Sequence, residues 1–446
     1  MRKLLSFALA TLLVLTMVSS FGAALAETAA VEVKEGQTKV VFWHSAGGKV
    51  GEAIDALVKS FNESQDKIVV EAQYQGTYDD SINKLRGIQK GQGPDVMQLY
   101  DIGTRWMIDS KFALTMQDFI DKENYDISDY EPNILAYYTL DGKLYSMPFN
   151  CSVPCIVYNK EALAKANVDP KSLTDLASVK SAAEKVAKDG GVQIGAIMPD
   201  YSWIFEQMIA EQDKDFLDNG NGRADRATKV VIDENGSGLA LLTAWKDFAA
   251  QPYTDTLGKG TADSKKAFGA NTVGIIMDSC SVYTDLQAAA GGVFNVGLAP
   301  LPKLDAGNTG GPSVGGGSLW LMDNGDQARA DAAWEFVKFC TSPVQMAEWS
   351  IRTGYLPVSK RAVEEPEFQA YLKEQNPDFQ IIIDSLRNSK PSNAGSVMGV
   401  FSKARVIIES EIETMINDEA VTPEDTLGAI VSQINDEIAL YNETNT

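Results

Sequence analysis

The chain of 446 residues contains a single histidine, His44. A Ser-His-Asp hydrolase, a zinc protease of the HExxH type and a two-histidine metal site all need that residue or more than one of it. Cysteine is also scarce: Cys151, Cys155, Cys280 and Cys340 form no CxxC pair and show no zinc spacing. Basic residues number 39 against 61 acidic ones, a net charge of -22 that repels phosphate backbones and anionic lipid surfaces, so nucleic acid is excluded as a partner. No Walker A sequence and no G-x-G-x-x-G opening a helix is present. Gly311-Pro312-Ser313-Val314-Gly315 spells G-x-S-x-G, but it lies in a glycine-rich loop with no histidine after it, which removes Ser313 as a nucleophile. The acidic cluster Asp215, Asp218, Asn219, Asn221 and Asp225 misses the calcium-loop pattern and reads as a solvated turn. Paired carboxylates stay open, because nothing singles out one pair among the 61 acids.

What is present begins at the N-terminus. Arg2 and Lys3 precede an apolar run over 4–18, and Ala24-Leu25-Ala26 supplies a small-x-small pattern, so residues 1–26 read as a cleavable secretory signal. No later run is long enough to span a membrane. Residues 27–37 are small and polar and read as a flexible leader. The full chain is 44% hydrophobic, ordinary for a globular protein, and long enough for two domains.

Strands are expected over 40–42, 68–70 and 96–99, separated by helices; Ile54, Leu57, Val58 and Phe61 mark the first helix by i, i+3, i+4, i+7 spacing. Strand–helix alternation predicts a parallel sheet. Asp141-Gly142 signals a hairpin. Further strands are expected over 194–198, 273–277, 294–298 and 319–322. Thr422, Pro423, Glu424 and Asp425 predict the start of a C-terminal helix carrying Leu427, Ile430, Val431 and Ile434. The expectation is an α/β, two-lobed fold with an interlobe cleft and hinge: residues 38–148 plus 282–345 in an N-terminal lobe, residues 149–281 plus 346–446 in a discontinuous C-terminal lobe. Clefts between lobes are favoured ligand sites.

These segments carry further markers in order: Phe42-Trp43-His44-Ser45, Tyr74-Gln75-Gly76-Thr77-Tyr78, Pro148-Phe149-Asn150 with Ser152, Tyr158-Asn159-Lys160, Gly315-Gly316-Gly317-Ser318-Leu319-Trp320, Ala347-Glu348-Trp349, Thr353-Gly354-Tyr355-Leu356-Pro357 and Arg405-Val406-Ile407. With them the chain resembles the extracellular solute-binding proteins serving ABC importers, and among these the binders of glycerol phosphate. The resemblance implies a periplasmic or extracellular monomer that closes on a small polar solute and delivers it to a membrane ABC permease without chemistry.

 It implies no cofactor and no enzymatic activity.

The same resemblance marks Tyr78, Asp101, Ser152, Trp203, Ser279, Gly316, Tyr355 and Arg405 as ligand positions. Residue chemistry agrees with that set. Arg405 has a planar fork of donors for a phosphate or carboxylate. The hydroxyls of Tyr78, Ser152, Ser279 and Tyr355 donate without carrying charge. Gly316 admits a close backbone approach, Asp101 accepts from solute hydroxyls, and Trp203 covers an apolar face of glycerol or a sugar. Each has a plainer reading: a surface ion pair for Arg405, a helix cap for Asp101, turn hydroxyls for the serines, core aromatics for the rest. His44 either touches ligand or orients its loop. The sequence departs from the glycerol phosphate binders at Asp101, where they carry glutamate, at Tyr201, near their second cleft tryptophan, and at Cys151 and Cys280, where they carry small residues. A disulfide between those two cysteines is compatible with export. A glycerophosphodiester or a sugar therefore stands beside glycerol-3-phosphate as ligand, and a secreted carboxylate-pair hydrolase is the alternative from another class.

Overall fold

The computed structural model describes residues 31–390 and 394–445. The expected signal segment lies outside the described residues. Of the expected leader, residues 31–37 form neither helix nor strand, and Gln37 is tied to the body by its side-chain amide, which donates to the Asp66 carbonyl at 3.1 Å.

Two five-stranded sheets organise the chain. Its strands are β1 (Thr38–His44), β2 (Ile68–Tyr74), β3 (Val96–Tyr100), β4 (Thr139–Leu140), β5 (Lys143–Leu144), β6 (Met147–Ser152), β7 (Pro154–Asn159), β8 (Ile194–Ile197), β9 (Thr254–Asp255), β10 (Val273–Ser279), β11 (Val296–Pro300) and β12 (Gly315–Leu321). The first sheet runs β2-β1-β3-β12-β6 and the second β11-β7-β10-β8-β9. In the first, β1 lies parallel to β2 and β3, as strand–helix alternation requires, while β12 is antiparallel to β3 and β6. In the second, β8 is parallel to β10 and β9, while β7 is antiparallel to β10 and β11.

Burial follows from these positions. In β1 the residues Val40, Phe42 and His44 alternate inward, whereas every residue of β6 and β7 is buried, the pattern of strands covered on both faces. The helix Gly48–Ser64 buries Ala53, Ile54, Leu57, Val58 and Phe61. Phe61 sets its ring edge against Phe336 and Phe339, each at 5.2 Å between centroids, on the helix Gln327–Cys340. Each such apolar side chain stabilises the fold by about 1.5–3 kcal/mol. The Asp141-Gly142 hairpin is present between β4 and β5, both residues at positive φ (51° and 71°), as a two-residue turn of matching twist requires. Thr422 and Asp425 form a reciprocal capping box at the head of the helix Pro423–Thr444.

Only Val153 separates β6 of the first sheet from β7 of the second. The return was expected at residue 282, with the strand near 294–298 in the first lobe. That placement is corrected: β11 pairs with β7 from Val296↔Asn159 to Pro300↔Cys155, so the chain returns between β11 and β12. A helix-then-strand pattern does not reveal which sheet the strand joins. The helix Pro343–Thr353, expected across the boundary into the second lobe, packs on Gly48–Ser64 of the first. The helix Phe401–Asn417 packs on Ser202–Glu211, which follows β8 of the second sheet.

Candidate functional site

The two sheets meet at Val153. The Cys280 N–H donates to the Val153 carbonyl at 3.0 Å, and the Leu356 N–H to the Cys151 carbonyl at 2.8 Å. Around this joint, Asp101 directly follows β3, Ser152 ends β6, Tyr201 and Trp203 follow β8, and Ser279 ends β10. Carboxyl ends of strands are where α/β sheets form ligand crevices, because the chain there turns outward into loops and helix starts.

One group is neutral and draws on both sides of the joint. Tyr78 opens the helix Tyr78–Arg86, whose N-cap Thr77 and Asp80 form a capping box. Its hydroxyl accepts a hydrogen bond from Asn150 Nδ2 at 3.0 Å, and its ring stacks on Tyr100 at 5.0 Å. Asn150 Oδ1 in turn accepts from Gln98 Nε2 at 2.8 Å. Tyr355 follows Gly354, the left-handed cap of Pro343–Thr353 at φ 76°, and stacks on Trp349 at 6.1 Å. Burial raises the Tyr355 phenol, opposed by hydrogen bonds to Asn150 and Ser281. The Ser279 and Ser281 hydroxyls lie 2.8 Å apart. Gly316 sits at a register shift in β12 with φ +97°, where a Cβ would lie 2.0 Å from the Asn150 carbonyl oxygen. Only glycine fits there.

The second group is charged. Arg405, on the helix Phe401–Asn417, donates through Nε and Nη2 to Oε1 and Oε2 of Glu206, both at 2.8 Å. Asp101 Oδ2 lies 3.8 Å from Nη2 of the same guanidinium. The side chains of Arg405, Glu206 and Asp101 are 15%, 12% and 8% exposed, so this is a buried triad, not a surface pair. Burial pushes the Asp101 carboxyl up to about 6 against the pull of Arg405, and raises that of Glu206. Asp101 does not serve as a cap for the helix Thr104–Ser110. Burial raises the Tyr201 phenol, with Arg405 opposing and the charges of Asp278, Asp101 and Glu206 adding to the rise. Asp278, on β10, accepts at Oδ1 from the Ser279 N–H, while its buried Oδ2 has no hydrogen-bond partner. Burial lifts Asp278 to about 6, with Lys265 opposing. Trp203 joins the groups: Gly315, paired with Ser152, lies so close beneath its indole that a Cβ there would fall 2.5 Å from the ring. The Trp203 Nε1–H is buried and has no partner. A cavity of about 510 Å³ opens beside Asp101 and Glu206 and extends to Ser313 and Asn221.

Other sequence candidates take structural places. Ser313 is clamped by Gln207, whose Nε2 donates to its Oγ at 2.9 Å and whose Oε1 accepts from its N–H at 3.0 Å. The His44 ring packs against Phe42 and Tyr74, and burial lowers it to about 4. Asn221 ties its own loop by accepting from the N–H groups of Phe216 and Leu217. All four cysteines are buried free thiols, so Cys151 and Cys280 are not joined.

The family model of bacterial extracellular solute-binding proteins matches residues 56–376. The chain belongs to this family. It is a solute-binding protein of the ABC-importer type. It is 28% identical over 413 residues to the sn-glycerol-3-phosphate-binding periplasmic protein UgpB of Salmonella typhimurium, covering 89% of this chain and 92% of that one. A UgpB of Yersinia pestis is 28% identical over 396 residues, covering 85% and 87%. Among solved structures, UgpB of Mycobacterium tuberculosis in complex with glycerophosphocholine superposes with a TM-score of 0.74 at 21% identity, over 91% of this chain and 100% of that chain. The GacH receptor of Streptomyces glaucescens, solved unliganded and with acarbose, gives 0.73 at 19%, over 90% and 99%. These neighbours establish the two-lobed fold. Among the described residues no helix is long and apolar enough to cross a membrane.

Within this solute-binding protein, sequence reasoning missed Asn150, Glu206 and Asp278. Asn150 lay in a quoted marker, and its inward place on β6 was the available signal. Glu206 follows Trp203 by three residues, one helical turn away on the same face, in a helix whose other inward residues are mostly apolar.

Proposed function

We propose that this protein captures a glycerol phosphate, as the monoester or a diester, between its lobes and releases it unchanged to a membrane ABC permease. The observation that carries this reading is the convergence, at the joint of the two sheets, of neutral hydroxyls (Tyr78, Ser152, Ser279, Tyr355) with the Asp101–Arg405 pair and the unpartnered Trp203 Nε1–H. Hydroxyls and an indole N–H bind phosphoryl and hydroxyl oxygens without placing another charge in a dry cleft. Asp101 accepts from glycerol hydroxyls, Gly316 keeps β12 close to the solute, and Trp203 covers its carbon face. Export through the N-terminal signal and action as a monomer complete the reading; so does the absence of chemistry on the solute.

A sugar is the second reading, favoured by Tyr201 and Trp203, whose rings meet edge to face at 6.2 Å beside Asp101. Thermal unfolding of the protein lacking residues 1–26 tests both. Ligand at about one hundred times its dissociation constant stabilises by about 2.7 kcal/mol. Stabilisation by glycerol-3-phosphate or glycerophosphocholine is expected. Stabilisation by sugars alone transfers the site to the second reading, and hydrolysis of the bound solute would refute a pure capture role.

A further inference from the structure

The charged wall of the cleft is unusual for a protein meant to receive a phosphate. Bidentate recognition of an oxyanion uses two parallel N–H donors along one edge of a guanidinium fork, and its strength depends on the positive charge left unneutralised by carboxylates already paired with it. In this protein, one edge of Arg405 is already filled by both oxygens of Glu206 at 2.8 Å, and Asp101 stands 3.8 Å from the same Nη2. Two largely buried carboxylates thus face one guanidinium. The neighbouring cavity adds no buried cation; its one lysine, Lys214, is exposed and lies between Asp213 and Asp215.

We propose that Glu206 is a specificity-determining residue that masks Arg405, so that the cleft accepts a net-neutral, hydroxyl-rich solute and rejects a phosphate monoester dianion. A zwitterionic glycerophosphodiester meets that requirement: its single phosphate charge is balanced by its own cation, which the Asp101–Glu206 side of the cavity accommodates. An uncharged sugar shares the net neutrality, and the test below separates the two. A dianion, by contrast, would have to displace Glu206 from Arg405 and leave that carboxylate buried without a partner, or else bind beside an uncompensated excess of negative charge. The inference rests on the capture reading above and sharpens it to one charge class.

The test is calorimetry at pH 7.5 on the mature protein with three probes: glycerophosphocholine, glycerol-3-phosphate and maltose. The wild type is expected to bind glycerophosphocholine at least a hundredfold more tightly than glycerol-3-phosphate. Glu206→Gln frees one edge of Arg405 and is expected to narrow that ratio at least tenfold by a gain in glycerol-3-phosphate affinity. Preference for maltose over glycerophosphocholine, with the same response to Glu206→Gln, supports the charge rule and assigns the neutral solute as a sugar. A wild type that prefers glycerol-3-phosphate, or a ratio unmoved by Glu206→Gln, overturns the inference while leaving capture intact. Binding of none of the probes by the folded wild type overturns the capture reading and this inference with it. Should Glu206→Gln fail to fold, the double variant Glu206→Gln/Arg405→Gln removes both charges together: retained binding of the neutral probe within about tenfold supports the masking role, and its loss refutes it.

Discussion

Replacing Arg405 by alanine removes more than a candidate ligand contact. The guanidinium holds two hydrogen bonds to Glu206 and is the main favourable charge on both Glu206 and Asp101, in a setting where all three side chains are at most 15% exposed. Breaking a buried pair by removing one partner costs about 3–5 kcal/mol, because the other charge stays buried and alone. A surface pair would cost about 1 kcal/mol or less. The carboxylates have one escape, which is to protonate, and burial already raises both. Without Arg405 they rise further above their unfolded values. Between the unfolded and folded values the native state then holds more protons, so stability falls as pH rises through that window. The Arg405→Ala deficit is therefore small near pH 5 and reaches about 3–5 kcal/mol near pH 7.5. Denaturant unfolding of wild type and variant at both pH values measures it. A deficit under about 1 kcal/mol at pH 7.5 would refute the buried triad, as would a deficit independent of pH.

Three further outcomes follow from single positions. Gly316→Ala combines left-handed backbone with a Cβ 2.0 Å from the Asn150 carbonyl, and is expected to lose at least ~2 kcal/mol of stability; a variant as stable as wild type would mean that β12 does not follow this register. Asp278→Asn keeps the acceptor for the Ser279 N–H and removes a carboxyl raised to about 6, so relative to wild type it gains on the order of 2 kcal/mol between pH 4 and pH 7; parallel pH–stability curves would contradict the buried charge. Because Cys151, Cys155, Cys280 and Cys340 are buried free thiols, a thiol reagent should label none in the native protein and all four after denaturation; labelling of only two after denaturation without reductant would reveal a disulfide.

Local signals carried much of the fold. The i, i+3, i+4, i+7 stripe from Ile54 to Phe61, the Asp141-Gly142 turn and the Thr422 cap each rest on interactions within a few residues, and each stands where the sequence placed it. Partners at long range were not legible in the same way. The strand Val296–Pro300 is apolar and follows a helix, a description that suits either sheet, and only its pairing with β7 decides. The motif resemblance marked Arg405 as a ligand position together with the residues from Tyr78 to Tyr355, yet it gave no sign of the Glu206 carboxylate that holds Arg405.

That last difference is physical. Arg405 and Glu206 are 199 positions apart in sequence, so their pairing is set by how the helices Phe401–Asn417 and Ser202–Glu211 dock, and neither residue signals it. An arginine on an apolar helix stripe reads equally as an anion anchor or as a surface charge. Once buried against a carboxylate it is neither: it becomes half of a neutral pair whose other half can alter what the cleft accepts. A substitution at Glu206 therefore changes the electrostatics of Arg405 without touching it, whereas one at Tyr78 or Ser152 changes only the hydroxyl it removes. Under the proposed masking, ligand class is a property of the triad Asp101–Glu206–Arg405, and comparison of Glu206→Gln with Asp101→Asn separates its parts. The first frees an edge of the fork 2.8 Å away, and the second removes a charge at 3.8 Å while leaving the fork occupied. Improved glycerol-3-phosphate binding in Glu206→Gln alone would locate the discrimination at the fork; equal improvement in both would make it a matter of net charge.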